Sequence, residues 1–278
     1  CAVTSVVEHA ASVEPIRRLE QQGLFFHRLG VDSRGRIDPV AVPSGPLGLG
    51  TIILAQNEVG TIQPVAQFAQ QVRSAGGVVH TDGAQAVGKI PVSVNELNVD
   101  LLSIAGHKLY APKGIGALYV RRGTLIDPVL LGAGQERGLR PGTENVASIV
   151  GLGVAAELAG NTLNAEAERQ KRLTEMLWHQ LKAAIPDIVR ISPSEHCLPN
   201  TLMVALPGRI GNDLLDTIED VSASTGSACH SGVHTPADTL LEMGVESDIA
   251  LGALRLSIGR QTSENDIHTV VTTLSNAV

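Results

Sequence analysis

Residues 51–82 read TIILAQNEVGTIQPVAQFAQQVRSAGGVVHTD, and this stretch decides the fold class. Residues 51–55 (TIILA) are a continuous apolar run, the pattern of a strand covered on both faces. Residues 65–74 read as a helix ended by Gly76 and Gly77, and 78–81 as the next strand. Strand, helix, strand alternation implies a mostly parallel, doubly wound α/β sheet. In such sheets ligands collect at the carboxyl ends of the strands.

The same rhythm extends outward. Residues 2–7, 100–104 and 115–120 read as further strands, and 12–22 as a helix. Beyond residue 143 the pattern changes. Two long helical stretches, 144–158 and 165–185, precede short strands at 188–191, 202–205 and 254–258. A terminal amphipathic helix spans 263–276, with Ser263 as its N-cap. A domain boundary is expected near residue 160, giving a large domain over 1–160 and a smaller one over 161–278. There is no internal repeat and no low-complexity tract.

Composition limits the function. Of 278 residues, 43% are hydrophobic, enough for a sizeable core. The formal charge of −7 and an aromatic content of 2% argue against nucleic acid as the main partner, since neither a basic surface nor stacking platforms are available. Three cysteines, Cys1, Cys197 and Cys229, make no disulfide framework, so a cytoplasmic location is expected. No apolar run approaches the ~20 residues that cross a bilayer, and no membrane partner is expected. The chain opens on Cys1-Ala2-Val3-Thr4 without an initiator methionine, as if a core strand began abruptly; it reads as the downstream part of a longer protein.

Three clusters carry chemistry. His80-Thr81-Asp82-Gly83-Ala84-Gln85 sets a carboxylate directly after an apolar strand. Asp82 is either a helix cap or the acid that keeps a pyridinium nitrogen protonated in a pyridoxal phosphate enzyme. About one βα unit later, 99–108 (VDLLSIAGHK) ends a second apolar strand on Lys108, which is either a surface lysine or a Schiff-base former. Together, at consecutive strand ends, the two clusters supply what that cofactor requires. The third cluster, 224–232 (STGSACHSG), surrounds Cys229 with small polar residues. That composition suits an exposed loop bearing a nucleophilic thiol better than a core strand. Zinc held by Cys229, His230 and His234 is a weaker alternative, since a structural site wants four ligands; no metal is expected.

HTDGAQAVGK (80–89), VDLLSIAGHKLYAPKGIGALYV (99–120), GQERGLRPGTENV (134–146), ASTGSACHSG (223–232) and ALRLSIGR (253–260) resemble the cysteine desulfurase and selenocysteine lyase group of the class V aminotransferases. The resemblance covers the whole chain. It implies the pyridoxal phosphate-dependent transferase fold of type I: a mostly parallel sheet in a large domain, plus a smaller α+β C-terminal domain carrying the catalytic cysteine loop.

The resemblance also implies roles. Lys108 is similar to the lysine that binds the cofactor and later moves protons. Asp82 matches the pyridinium partner, Gln85 the donor to the ring hydroxyl, and His9 a catalytic histidine that stacks on the ring and can move protons. Asn57 matches a residue contacting the ring hydroxyl side and the substrate carboxylate. His107 matches a phosphate ligand, and Thr143 one that reaches the phosphate of the other subunit of a homodimer. Arg255 matches the clamp on the substrate carboxylate, a task for which a guanidinium fork is suited. Cys229 matches the thiol that accepts sulfur from L-cysteine as a persulfide, leaving L-alanine. An iron–sulfur scaffold or another sulfur-carrier protein is the implied acceptor. L-selenocysteine is an alternative substrate.

Two departures stand out. Ala105 replaces a serine of many relatives. The Gly/Thr-rich turn that cradles the cofactor phosphate in the family does not occur before His9. A transaminase or other lyase without need of Cys229, and a non-catalytic binding protein, remain open at this point.

Overall fold

The structure is a computed structural model that describes residues 1–225, 228–230 and 233–278, with the backbone only at 228–230 and 233–234. In chain order the elements begin with β1 (Ala2–Ser5), α1 (Ala10–Gln21), β2 (Phe26–Leu29), β3 (Leu49–Ile53), α2 (Val65–Ser74), β4 (Val78–Asp82), β5 (Leu101–Ala105) and β6 (Gly116–Val120). Then come α3 (Val146–Ala184), β7 (Val189–Arg190), β8 (Thr201–Ala205), α4 (Gly211–Asp216), β9 (Ala228–His230), β10 (Val233–Thr235), α5 (Asp238–Glu242), α6 (Ser247–Leu251), β11 (Ala253–Ser257) and α7 (Glu264–Ala277).

Six strands form the larger sheet in the order β2-β1-β3-β4-β5-β6. The first five run parallel; β6 alone is antiparallel, paired with β5. The fold is therefore the α/β, mostly parallel arrangement expected. β2 had no reading from the sequence, because FHRL alternates too weakly and sits at the sheet edge. α2 buries Val65, Phe68, Ala69 and Val72, one stripe at helical spacing, on this sheet. Gly50 permits the approach: a Cβ there would lie 2.5 Å from Val72.

The second sheet, β11-β8-β7, is antiparallel. Its core joins Leu173, Leu177 and Leu181 of α3 to Leu202, Val204, Leu254, Leu256, Ile267 and Leu274. α7 starts with a reciprocal capping box between Ser263 and Asp266.

Two expectations need correcting. The two helical patterns after residue 143 are one helix, α3, of 39 residues; the stretch from Gly160 to Asn164 continues the helix because no proline interrupts it and one glycine costs a helix only about 1 kcal/mol. By length and composition α3 is also long and apolar enough to cross a bilayer, a property the short-run count missed because it discounted the helix's interspersed polar residues. Its first half is mostly exposed, whereas its second half packs into the smaller core.

Candidate active site

Chain order carries β1 outward to β2, then back across β1 to β3. β1 and β3 therefore part at their carboxyl ends, the switch point at which open α/β sheets take ligands. Glu8 bridges this point. Its Oε1 accepts from the Ser5 hydroxyl at the end of β1 and from the amide of Ile53 at 3.0 Å on β3. Its Oε2 is buried and has no partner among the described residues. Burial pushes the Glu8 carboxyl up to about 7, and the negative charge of Asp82 adds to the shift.

His9 follows as the N-cap of α1, its Nδ1 accepting from the amide of Ala11 at 3.1 Å. The neutral ring therefore carries its proton on Nε2. His9 is exposed, so it is no core histidine.

Beyond β3, Asn57 sits on a turn tied down by Gln56. The Gln56 Oε1 accepts from the amides of Glu58 and Val59, and its Nε2 donates to Thr239 Oγ1 at 3.1 Å. Arg255 on β11 reaches this turn, its guanidinium donating to the Asn57 carbonyl at 2.9 Å. Arg255 Nε is buried without a partner among the described residues.

Asp82 ends β4, 9% exposed, and its Oδ1 accepts from the amide of Ala84 at 2.9 Å. That bond turns the chain so that Gln85 follows beside it. Lys89 donates from Nζ to Gln85 Oε1 at 2.6 Å. His80, two residues earlier on the same face of β4, is a satisfied core histidine. It bridges Thr51 and Ser103 at 2.8 Å each, and burial lowers its pKa against the opposing charge of Asp82.

β5 pairs with β4, Ser103 opposite Asp82, and leads into the short 3-10 turn Gly106–Leu109. His107 is exposed there and Lys108 half-buried. Among the described residues Lys108 has no ion-pair partner, although its positive charge bears on Lys89, as does that of Arg255.

The carboxyl ends of four parallel strands thus bring His9, Asn57, Asp82, Gln85, His107 and Lys108 to one edge, and β11 adds Arg255. Thr143 lies apart, exposed on the segment before α3, with no bond to this cluster among the described residues. Cys229 lies on β9, in register with His234 of β10. The expected loop is thus partly a two-stranded ribbon, for which small polar residues are equally suited. The side chains of Cys229, His230 and His234, and with them the zinc alternative, lie outside the described residues. Sequence reasoning missed Glu8 and Lys89 as members of the site. The available signals were a carboxylate at the switch point and a lysine four residues after Gln85.

Comparison with known proteins completes the picture. The chain matches the family described as Aminotransferase class-V over residues 1–270. It is 43% identical over 275 residues to a protein of Gluconacetobacter diazotrophicus named cysteine desulfurase, covering 97% of this chain and 69% of that protein. A solved structure titled NIFS-LIKE PROTEIN superposes with a TM-score of 0.88 at 34% identity, covering 99% of this chain and 74% of that one. Another, titled SspA in complex with cysteine, gives a TM-score of 0.76 at 30% identity, covering 92% and 73%.

Proposed function

The chain belongs to the aminotransferase class-V family, as one of its cysteine desulfurases, and from that premise we propose that it takes sulfur from L-cysteine, leaves L-alanine and holds the sulfur as a persulfide on Cys229. The observation that carries this reading is the meeting, at one edge of the sheet, of Asp82, Lys108 and Arg255, each with bonding capacity unspent among the described residues.

These residues suit pyridoxal phosphate. Asp82, 9% exposed, offers a second carboxylate oxygen beyond the one used by Ala84, as a protonated ring nitrogen needs. Lys108 offers an amine without an ion-pair partner among the described residues. Arg255 holds a buried Nε–H without an acceptor among the described residues, as an anion site would. His9, Gln85 and His107 stand at the same strand ends for the ring face, the ring oxygen and the phosphate. When bound, the cofactor supplies an electron sink for the pair left as the Cα proton departs.

The chain's own groups do the rest. Arg255 and Asn57 hold the substrate carboxylate. Lys108 Nζ would hold the cofactor and would take up the proton that leaves Cα. Asp82 keeps the ring-nitrogen proton in place. The Cys229 thiolate attacks the substrate sulfur; a sulfur–sulfur bond forms as the Cβ–sulfur bond breaks, and the electron pair left on Cβ takes up a proton to give alanine. The sulfur then passes to an iron–sulfur scaffold or another sulfur carrier.

A homodimer completes the proposal. Leu125, Val129 and Leu131 are 87–95% exposed, and Val146, Val150 and Val154 on α3 are exposed beside them in sequence. So large an apolar display supports burial against a second copy, and Thr143 lies within the same stretch.

Incubation with pyridoxal phosphate, borohydride reduction and peptide mass analysis test the assignment. The pyridoxyl group is expected on Lys108, and cysteine alone is expected to yield alanine. A label on Lys89 or Lys113, or a requirement for a keto acid, would overturn it.

A further inference from the structure

We propose that Lys89 is a positioning residue of this site: it locks the amide of Gln85 so that Nε2, with both its hydrogens, faces the cofactor. The proposal rests on the reading of Gln85 as a cofactor contact.

An amide side chain can present either its oxygen or its nitrogen, and the two are nearly the same shape. Lysine removes the ambiguity, because an ammonium only donates. With Nζ 2.6 Å from Oε1, the Gln85 oxygen is engaged, and Nε2 has no partner among the described residues. The cationic donor also polarises the amide, which makes Nε2 a stronger donor to an oxygen that carries negative charge.

Lys89 is held where a lysine would not choose to be. A flexible four-carbon stem ordinarily carries the ammonium to water. Here the group is largely buried and faces two further cations, Lys108 from the turn after β5 and Arg255 from β11. Burial first, then those two charges, bring its pKa down to about 8. The backbone enforces the placement. Gly88, just before it, has φ +80°, and a Cβ there would lie 2.4 Å from Leu109 Cδ2. The turn therefore presses against the segment that carries Lys108, and Lys89 is delivered beside Gln85. A costly cation kept next to one amide is accounted for by what it does to that amide.

Two readouts test this. The first needs no cofactor: the side-chain amide proton and nitrogen resonances of Gln85, assigned by their loss in Gln85→Ala. Lys89→Met keeps the stem and removes the donor, and it should move both resonances toward those of free glutamine; Lys89→Arg should restore them. Unchanged resonances in Lys89→Met would overturn the proposal, whether or not the protein binds pyridoxal phosphate. The second is titration with pyridoxal phosphate followed by absorbance. Lys89→Met should weaken binding about tenfold when Gln85 is present and less than about twofold in the Gln85→Ala background. Equal losses in both backgrounds would mean that Lys89 does not act through Gln85. If Lys89→Met does not fold, Lys89→Gln takes its place, with thermal melting as the check. A parent protein that binds no cofactor would count against the functional reading, while the amide resonances would still decide the role of Lys89.

Discussion

Arg255 donates to the main-chain oxygen of Asn57 at 2.9 Å, although the two are 198 residues apart. The bond joins the smaller sheet to the turn after β3 and leaves the Arg255 Nε buried and without a partner among the described residues. One side of the guanidinium is thus spent on holding the arginine still, and another edge stays available for a carboxylate.

Arg255→Lys should therefore damage substrate binding more than turnover. A lysine lacks the fork and cannot serve Asn57 and a carboxylate together. Loss of one charge-assisted hydrogen bond, about 1.5–3 kcal/mol, corresponds to a fall in kcat/KM of roughly ten- to hundredfold, carried mainly by KM. Steady-state kinetics with L-cysteine check this. A variant with unchanged KM and depressed kcat would remove Arg255 from the carboxylate site.

Glu8 should make stability depend on pH. Its carboxyl titrates near 4.5 when unfolded and about 7 when folded, where burial and then the facing charge of Asp82 oppose ionisation. Below pH 4.5 it is protonated in both states and costs nothing. As the pH rises from 4.5 through about 7 the unfolded chain releases the proton and the folded chain keeps it. Stability therefore falls across that window, by on the order of 3 kcal/mol in total, and levels off above it. Urea unfolding at several pH values should show this slope in the parent and a flatter one in Glu8→Gln. Identical slopes in the two proteins would contradict the buried carboxyl.

The cysteines should separate by reactivity. Cys197 is half-buried, its Sγ 3.5 Å from the Val59 carbonyl, and burial pushes its thiol up to about 11. At neutral pH it is almost wholly the unreactive thiol. Cys197→Ser and Cys1→Ser should keep sulfide release near the parent rate, while Cys229→Ser abolishes it. Cys197 should also resist alkylation at pH 7. Sulfide release from Cys229→Ser at the parent rate would exclude the persulfide step.

The exposed apolar face should disappear into a dimer. Light scattering at low micromolar concentration is expected to report twice the 29.1 kDa chain mass. Val150→Asp, which places a charge on that face, should shift the equilibrium to monomer. A parent protein that binds pyridoxal phosphate as a monomer would refute a shared interface.

Much of the fold was legible because its signals are local. Apolar runs such as 51–55, glycines such as Gly76 and Gly77, and the cap at Ser263 act within a few residues, and the structure places elements there. Asp82 and Lys108 were legible for the same reason, since each closes an apolar strand and parallel strands put their carboxyl ends on one side. β6 was harder: its composition reads as strand, but nothing local states that it runs antiparallel. The continuity of α3 was hidden by polar residues that tolerate a helix without announcing one.

What the sequence by itself determined is which residues end strands and which chemical groups they carry there. Only the tertiary structure decided how those groups meet. The bond from Arg255 to Asn57, the bridge of Glu8 across β1 and β3, and the pressure of Lys108 and Arg255 on Lys89 arise between segments far apart in the chain. Such relationships leave no periodic trace, because the order of strands in a sheet and the burial of a charge are properties of the packed whole. The ionisation of Glu8 and Lys89 is the clearest case: the residue type supplies the titratable group, and the surrounding packing sets its charge.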